Sequence, residues 1–473
     1  MRRLSKFYRE NVAHLDKILR IDESFDLLKK VMKIGEDEIT LYYIDGFVKD
    51  TVMGKLMIYF LSLKGLGEPS EDCAEEFLKA HIPYVEAETT EDLDIMINMV
   101  LSGATLMIGS GFEDKAIIID SRSYPARGTE EPENDRVMRG SRDGFVETLI
   151  SNTALIRRRV RDTALTMSYV TVGKQTKTDI AICYMNGKAD PGYVDFIKNK
   201  LKNIQTGSLA LSHQSLCECL IRSRWYNPFP KIRNTERPDV AVAQILEGSI
   251  ILLCDNSPEA MILPTSIFDF MQETNDFYFP PLTGSYLRLV RHLVFWSTLV
   301  LIPTWYLFIK NPEIVPDWLL FTLPTSEARI PIILQLLLVE FILDGLKLAS
   351  MNTPNMLANS LSIVGGLILG DFAVGVGWLI PEVILYMAYV SIATFAQTSY
   401  ELGYAFKFLR VIILILTALL NYWGYAAGII LTFVLISTNK TVNGKRSYLY
   451  PLIPFNGKAL LSLYIRLKKS DKT

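Results

Sequence analysis

The pattern of apolar and polar positions changes near residue 290 of the chain. Residues 1–287 alternate apolar and polar positions as a water-soluble protein does, whereas long apolar runs follow one another from Leu293 to Ser437. About 20 apolar residues in a helix suffice to cross the hydrocarbon of a bilayer. Several such runs in succession are typical of a polytopic membrane domain. The pattern therefore predicts a water-soluble first part, followed by a helical membrane domain over residues 288–438.

Six apolar segments are predicted within the membrane domain: residues 293–309, 331–348, 361–376, 379–396, 411–422 and 425–437. Some are short for a full crossing, so re-entrant or half-length helices remain open. Basic residues precede the first segment and follow the second, fourth and last, whereas the other connections are mainly acidic or uncharged. The positive-inside rule then predicts that both termini are cytoplasmic, with residues 439–473 as a cytoplasmic tail.

Two passages of the water-soluble part have the same order of predicted elements. Residues 39–46 (ITLYYIDG) and 180–187 (IAICYMNG) are β-rich runs that end in an Asp-Gly or Asn-Gly turn, and each precedes a helical pattern. Further on, an amphipathic helix ends at Gly103 or Gly248 and strands follow at once. This order predicts a duplication. Chance similarity between two α/β modules is the alternative.

The predicted fold class is thus α/β plus an α-helical membrane domain. Its parts are a helical segment (1–35), a first α/β subdomain (36–120), a connector and helix (121–163), a second α/β subdomain (164–287), the membrane domain and the tail. The repeat itself is predicted over residues 36–120 and 164–264.

Composition and motifs narrow the function classes. The chain has 49 basic and 51 acidic residues, which gives no concentrated basic surface for nucleic acid. It contains no glycine-rich phosphate loop and no nucleophile elbow, and its four histidines are scattered singly. We therefore expect no enzyme activity and no cofactor. The five cysteines lack the spacing of a disulfide framework or a zinc site, which suits a reducing compartment.

An arginine cluster follows the polar connector. Residues 121–144 are rich in charge, proline and glycine, which predicts an exposed connector. The helical pattern after it ends in Arg157, Arg158 and Arg159, where cations suit the helix macrodipole. A solvated helix end is one interpretation. A docking site for acidic partners or anionic lipid headgroups is the other.

Two carboxylates lie inside the second apolar segment. Glu340 and Asp344 are four residues apart, so a helix places both on one face. Acids at membrane depth usually mark a polar pathway, and rings of such acids in an oligomer favour cations. Pairing with Lys347, or hydrogen bonds within the bundle, are the alternatives. Asp371, beside a glycine-rich run, is a further candidate for a pore vestibule, with a plain loop residue as the alternative.

Several motifs resemble those of a known family. Residues 130–149 (EEPENDRVMRGSRDGFVETL), 154–159 (ALIRRR), 235–240 (TERPDV) and 246–248 (LEG) resemble the GerA family of spore germination proteins, A-subunit type. Residues 225–230 (WYNPFP), 381–386 (PEVILY), 399–402 (SYEL) and 450–456 (YPLIPFN) are similar to the stage V sporulation branch of that family. Within the TERPDV motif, Glu236, Arg237 and Asp239 are candidates for interdomain or docking contacts.

The resemblance implies a multi-pass protein of the spore inner membrane that takes part in germination. A-subunit relatives are thought to assemble into ligand-gated ion channels, so we expect a homo-oligomer, with a pentamer as the expected size. Expected partners are membrane lipids, other germination membrane proteins and permeant cations. The alternative function is a non-conducting scaffold that clusters germination proteins, and a secondary transporter is a third option.

Overall fold

The computed structural model describes residues 3–67, 69–70, 72–82, 86–122, 140–221, 225–273, 275–325, 329–352, 365–366, 370, 372–442 and 448–466. Contacts between residues divide the chain into two compact units. The α/β unit comprises Met1–Arg222 and Ile232–Pro264, and the helical unit comprises Ser223–Lys231 and Thr265–Thr473.

The two halves of the α/β unit contain the same elements in the same order. The first half is α1 (Tyr8–Leu19), β1 (Leu27–Ile34), β2 (Asp37–Ile44), α2 (Asp50–Leu61), α3 (Cys73–His81), β3 (Ala87–Thr90), α4 (Leu93–Leu101), β4 (Thr105–Gly109) and β5 (Ala116–Ile119). The second is α5 (Leu149–Arg159), β6 (Leu165–Val172), β7 (Thr178–Met185), α6 (Pro191–Lys202), α7 (Ser212–Leu220), β8 (Arg233–Thr235), α8 (Pro238–Leu246), β9 (Ile250–Cys254) and β10 (Ala260–Leu263).

Each half folds around one antiparallel five-stranded sheet. The strand orders are β1-β2-β4-β5-β3 and β6-β7-β9-β10-β8, so the two sheets have the same topology. In the first sheet, α1 and α4 pack on one face and α2 and α3 on the other. Strands β4 and β5 are buried along their whole length, because both faces of the sheet are covered.

Matching local details support the duplication. Asn11 of α1 makes a reciprocal pair of hydrogen bonds with the backbone of Ser5, and Asn152 of α5 makes the same pair with Val146. The glycines that end α4 and α8, Gly103 and Gly248, have φ angles of 99° and 96°, a region that disfavours other residues. The prediction of two related α/β subdomains is confirmed.

The predicted boundaries need three corrections. The first repeat begins with α1 and β1, because residues 27–34 form an edge strand paired with β2 and are not part of a helical segment. The helix after the connector, α5, belongs to the second repeat, because Leu149, Leu155 and Ile156 pack in the hydrophobic core of the second sheet. The α/β unit ends at Pro264, since Ile267 and Phe270 lie in the hydrophobic core of the helical unit. Most of the predicted connector (121–144) lies outside the described residues.

The helical unit contains α9 (Asn275–Tyr278), α10 (Pro281–Lys310), α11 (Ile332–Asn352), α12 (Ala373–Gly375), α13 (Pro381–Phe395), α14 (Tyr400–Thr438) and α15 (Gly457–Tyr464) among its described residues. Short 3₁₀ turns at Asp269–Met271, Pro312–Ile314 and Asp317–Thr322 join some of them. Helix α14 contacts α10 and α11, and α13 contacts the same two helices. Half of the predicted third apolar segment (361–376) lies outside the described residues.

Helix α14 is a hairpin of two helical arms. Asn421 has φ 55° and ψ −128°, which are not helical angles. The two arms, residues 400–420 and 422–438, pack against each other. Gly428 of the second arm approaches Ile413 of the first so closely that a Cβ added to Gly428 would lie 3.0 Å from the Cα of Ile413. At Gly424 a Cβ would lie 1.8 Å from the carbonyl oxygen of Leu416, so only glycine fits this close approach. The predicted fifth and sixth segments are therefore the two arms, with the first arm starting earlier than predicted.

Candidate functional site

Two acids of α11 meet two bases of α14 inside the helical unit. Arg410 donates to Oε1 of Glu340 from Nε at 2.8 Å and from Nη2 at 2.6 Å. Lys407 lies between both acids: its Nζ is 3.3 Å from Oε2 of Glu340 and is also paired with Asp344. We call these four residues the charge cluster. The charge cluster contains the acid pair predicted from the sequence. Its two bases come from α14, which is distant from α11 in the sequence.

Helical spacing explains why the four charges converge. Glu340 and Asp344 are one turn apart on α11, and Lys407 and Arg410 are about one turn apart on the first arm of α14. A third helix closes the cluster, since Nη1 of Arg410 donates to the carbonyl oxygen of Thr298 on α10 at 2.9 Å. The cluster therefore ties three helices together.

The four side chains differ in burial. Glu340 and Arg410 are 7% and 4% exposed, so this ion pair is closed within one protomer. The side chain of Asp344 is 35% exposed, and its Oδ1 is buried without a hydrogen-bond partner among the described residues. Both carboxylate oxygens of Glu340 are thus paired, whereas Asp344 has one oxygen paired with Lys407 and one without a hydrogen-bond partner among the described residues.

Sequence reasoning found the acids but not their partners. Lys347, considered as the partner, places its Nζ over the rings of Phe395 and Tyr404, at 5.3 and 5.7 Å from their centroids. Lys407 and Arg410 were expected in a connection after the fourth segment, but they lie within a helix and face α11. Their three-residue spacing inside an apolar helix is the signal that could have identified them. The predicted pore-lining role of Glu340 and Asp344 stays a prediction, and Asp371 lies outside the described residues.

The tip of the hairpin is fixed to the end of α10. The side-chain amides of Asn311 and Asn421 donate to each other's oxygens at 2.7 and 2.9 Å. Lys310 donates to the carbonyl oxygen of Ala418 at 2.8 Å, which satisfies an acceptor at the end of the first arm. The end of α10 and the apex of the hairpin therefore lie at the same level.

Arg157 lies in a second buried network, in the α/β unit. Its side chain is fully buried, and it donates from Nε to Oδ2 of Asp26 at 2.7 Å and from Nη2 to Oδ1 at 3.1 Å. Further bonds from the guanidinium reach Ser24 and the carbonyl oxygens of Asp162 and Leu165. Asp26 precedes the first strand of the first sheet, and Arg157 belongs to the second repeat. This candidate residue therefore joins the two repeats and does not face a partner from solvent.

The other candidates near the connector are placed as follows. Arg158 is exposed at the end of α5, whereas Arg159 pairs with Asp143. Arg237 is fully buried and donates to both oxygens of Asp239, at 3.0 and 2.7 Å, and to the carbonyl oxygen of Ser141 at 2.9 Å.

Glu236 accepts the backbone N–H of Phe145 at its carbonyl oxygen. The motif residues 235–240 therefore hold the end of the connector against α8. The docking role of this group stays a prediction.

Comparison with known proteins decides the family. The chain matches the family described as Bacillus/Clostridium GerA spore germination protein over residues 14–473. The chain belongs to the GerA family. This confirms the resemblance predicted from the motifs.

GerA relatives match nearly the whole chain. Stage V sporulation protein AF of Bacillus subtilis (strain 168) is 36% identical over 94% of this chain and 90% of its own length. Spore germination protein KA of the same organism is 27% identical over 97% of this chain and 84% of its own length. The predicted similarity to the stage V sporulation branch is thereby confirmed, and GerA membership supports a role in germination.

One solved GerA structure matches part of the chain. It is the crystal structure of the N-terminal domain of the A subunit of the Bacillus megaterium spore germinant receptor GerK3. The two are 22% identical with a TM-score of 0.41, and the match covers 55% of this chain and 96% of that chain.

Proposed function

We propose that this GerA protein is a multi-pass subunit of the spore inner membrane that promotes germination, either as an oligomeric ion channel or by modulating one. The helical unit enters the bilayer, and several copies surround a polar pathway beside Asp344. The α/β unit serves in the cytoplasm as sensor, gate or assembly platform. The partly exposed side chain of Asp344, on a largely apolar helix, is the observation that carries the proposal.

Helix length supports the membrane placement. Among the described residues, Pro281–Lys310 and Tyr400–Thr438 are long and apolar enough to cross a membrane, and Pro381–Phe395 is a shorter apolar helix. Each arm of the hairpin rises about 25 to 31 Å, which is close to the thickness of a hydrocarbon core. The hairpin therefore supplies two potential crossings in place of one overlong helix.

Helical rise also sets the depth of the charge cluster. Arg410 bonds the carbonyl of Thr298, and Thr298 lies roughly 18 Å along α10 from Lys310, where the hairpin tip is held. With a core of about 30 Å, this distance supports a position of the cluster near the middle of the bilayer. An aspartate side chain that remains 35% exposed there is costly against lipid. Water, a cation or a neighbouring copy is the favourable surrounding, which supports an oligomer with a polar lumen.

Conductance in planar bilayers tests the proposal. Because the Asp344 carboxylates would concentrate cations in the lumen, we expect the cation current of the purified protein to fall by roughly tenfold in Asp344→Asn. Asp317→Asn, which removes an exposed acid from a connection, is the matched control and should conduct as the unmodified protein does. Equal currents in Asp344→Asn and the unmodified protein would refute a lumen lined by Asp344.

A non-conducting scaffold is the second candidate function. The closed Glu340–Arg410 pair favours it, because an acid neutralised within its own protomer offers nothing to a permeant ion. The same bilayer recording separates the two functions. A scaffold gives no current. Spores that lack the protein should nevertheless germinate more slowly, and the Asp344→Asn variant expressed in those spores should restore the normal rate.

A further inference from the structure

The described part of the C-terminal tail is held against the beginning of α10. The backbone N–H of Arg466 donates to Oγ of Ser285 at 2.9 Å, and Nη1 of Arg288 donates to the carbonyl oxygen of Ser462 at 2.8 Å. The rings of Tyr464 and His292 lie 4.9 Å apart. Helix α15 is therefore fixed to the first turns of a candidate membrane-spanning helix and is not a free tail.

The contacts with α10 determine the position of α15 along the axis of α10. Arg288 lies about 33 Å along α10 from Lys310, which contacts the hairpin tip. This separation matches the thickness of a hydrocarbon core, about 30 Å. If the hairpin tip lies at one face of the bilayer, α15 lies at the headgroup level of the other face.

The surface of this segment suits that level. Leu463 of α15 is buried in the core of the helical unit. Five large apolar side chains between residues 451 and 466 are instead exposed. They are Leu452 (42% exposed), Ile453 (53%), Phe455 (75%), Leu461 (51%) and Ile465 (44%). On α10, Leu282, Tyr286, Leu289 and Leu293 form an exposed stripe at helical spacing. An apolar surface attached to a spanning helix is typical of interfacial segments.

Charge distinguishes the two ends of α10. Residues 457–473 contain five basic residues and one acidic residue, and Lys458 at the start of α15 is exposed. At the other end Glu313 and Asp317 are exposed, while Lys310 is occupied by backbone carbonyls. Basic residues beside an apolar surface attract anionic headgroups, whereas the acidic end repels them.

We propose that residues 451–466 form an interfacial anchor that inserts Phe455 and its apolar neighbours into one leaflet and binds anionic phospholipid headgroups through Lys458 and Arg466. This deepens the proposed function, because it requires the helical unit to lie in a bilayer. It assigns the tail a lipid ligand and fixes the level at which α10 enters the membrane.

A polarity-sensitive fluorophore, NBD, on residue 455 tests the anchor. The full chain carries Cys219→Ser, which removes the exposed thiol. The remaining thiols are buried, and burial raises the pKa of Cys254 to about 12, so they stay unreactive under native conditions. Phe455→Cys is then labelled in proteoliposomes of phosphatidylcholine with increasing phosphatidylglycerol. Leu293→Cys on α10 reports insertion, and Ile58→Cys, 72% exposed on the α/β unit, is the water-facing control.

The anchor predicts blue-shifted NBD emission at positions 455 and 293 but not at 58, with the shift at 455 growing with phosphatidylglycerol content. Lys458→Gln and Arg466→Gln should each weaken this dependence roughly fivefold. A shift at 293 with water-like emission at 455 would overturn the anchor and leave the membrane function standing. Water-like emission at both would overturn the membrane placement itself.

Two other outcomes show whether lipid or protein covers the apolar surface of residues 451–466, and whether headgroups bind to it. A blue shift at 455 that a spin-labelled phospholipid in the same proteoliposomes does not quench would mean that another copy or a protein partner covers the segment, which overturns the lipid assignment. A shift that needs lipid but ignores phosphatidylglycerol and both charge substitutions would overturn headgroup binding by Lys458 and Arg466.

Discussion

Arg410→Met is expected to destabilise the helical unit by about 3–5 kcal/mol, because it leaves the buried carboxylate of Glu340 without its main partner. The carbonyl of Thr298 also loses its donor. Lys407 cannot compensate fully, since it is shared with Asp344. The measurement is the loss of folded protein on heating in detergent, followed by size-exclusion chromatography.

The matched control is Arg329→Met, which removes an exposed arginine from the same unit and should change stability by less than about 0.5 kcal/mol. The double variant Glu340→Met with Arg410→Met should recover most of the loss, because two apolar side chains of similar length replace the pair. If Arg410→Met behaves as Arg329→Met does, the ion pair does not hold the three helices together.

Arg157→Met is expected to loosen the junction between the two repeats of the α/β unit. Asp26 would remain buried and lose both hydrogen bonds from the guanidinium, and two backbone carbonyls would lose a donor. The cost should be about 3–5 kcal/mol. Hydrogen exchange of the full chain should show this as faster exchange, by roughly a hundredfold or more, in β6 and in residues 20–26.

Arg158→Met is the control for this junction, because Arg158 is exposed on the same helix. Replacing Asp26 with leucine together with Arg157→Met should restore part of the protection, as no unpaired charge is then left. Uniform exchange across unmodified, Arg157→Met and Arg158→Met proteins would show that the repeats are joined by apolar packing alone.

Local sequence patterns were sufficient to predict most helices and strands of the α/β unit. The glycines at positions 46, 103, 187 and 248 all adopt positive φ and end the elements that the pattern predicted. Strand β1 was missed because its sequence, LLKKVMKI, spaces apolar residues among lysines much as an amphipathic helix does. Its strand conformation comes from pairing with β2, and no local pattern reports that pairing.

The candidate site was only half predictable. One-turn spacing of Glu340 and Asp344 is local, so the shared face followed from sequence alone. Their partnership with Arg410 and Lys407 is set by packing between helices that are about 70 residues apart, and a single sequence contains no record of it. The break between the last two apolar segments was expected after Tyr422, and the structure places it at Asn421, where the side chain is held by Asn311.

Water access to position 344 tests the central claim most directly. Asp344→Cys and Leu338→Cys, in the Cys219→Ser background, are treated in membrane vesicles with a charged thiol reagent that does not dissolve in lipid. The side chain of Asp344 is 35% exposed, and Leu338 on the same helix is also partly exposed, so exposure alone does not distinguish the two positions. A polar lumen predicts rapid modification at position 344 and protection at 338. Protection at both positions would contradict the account.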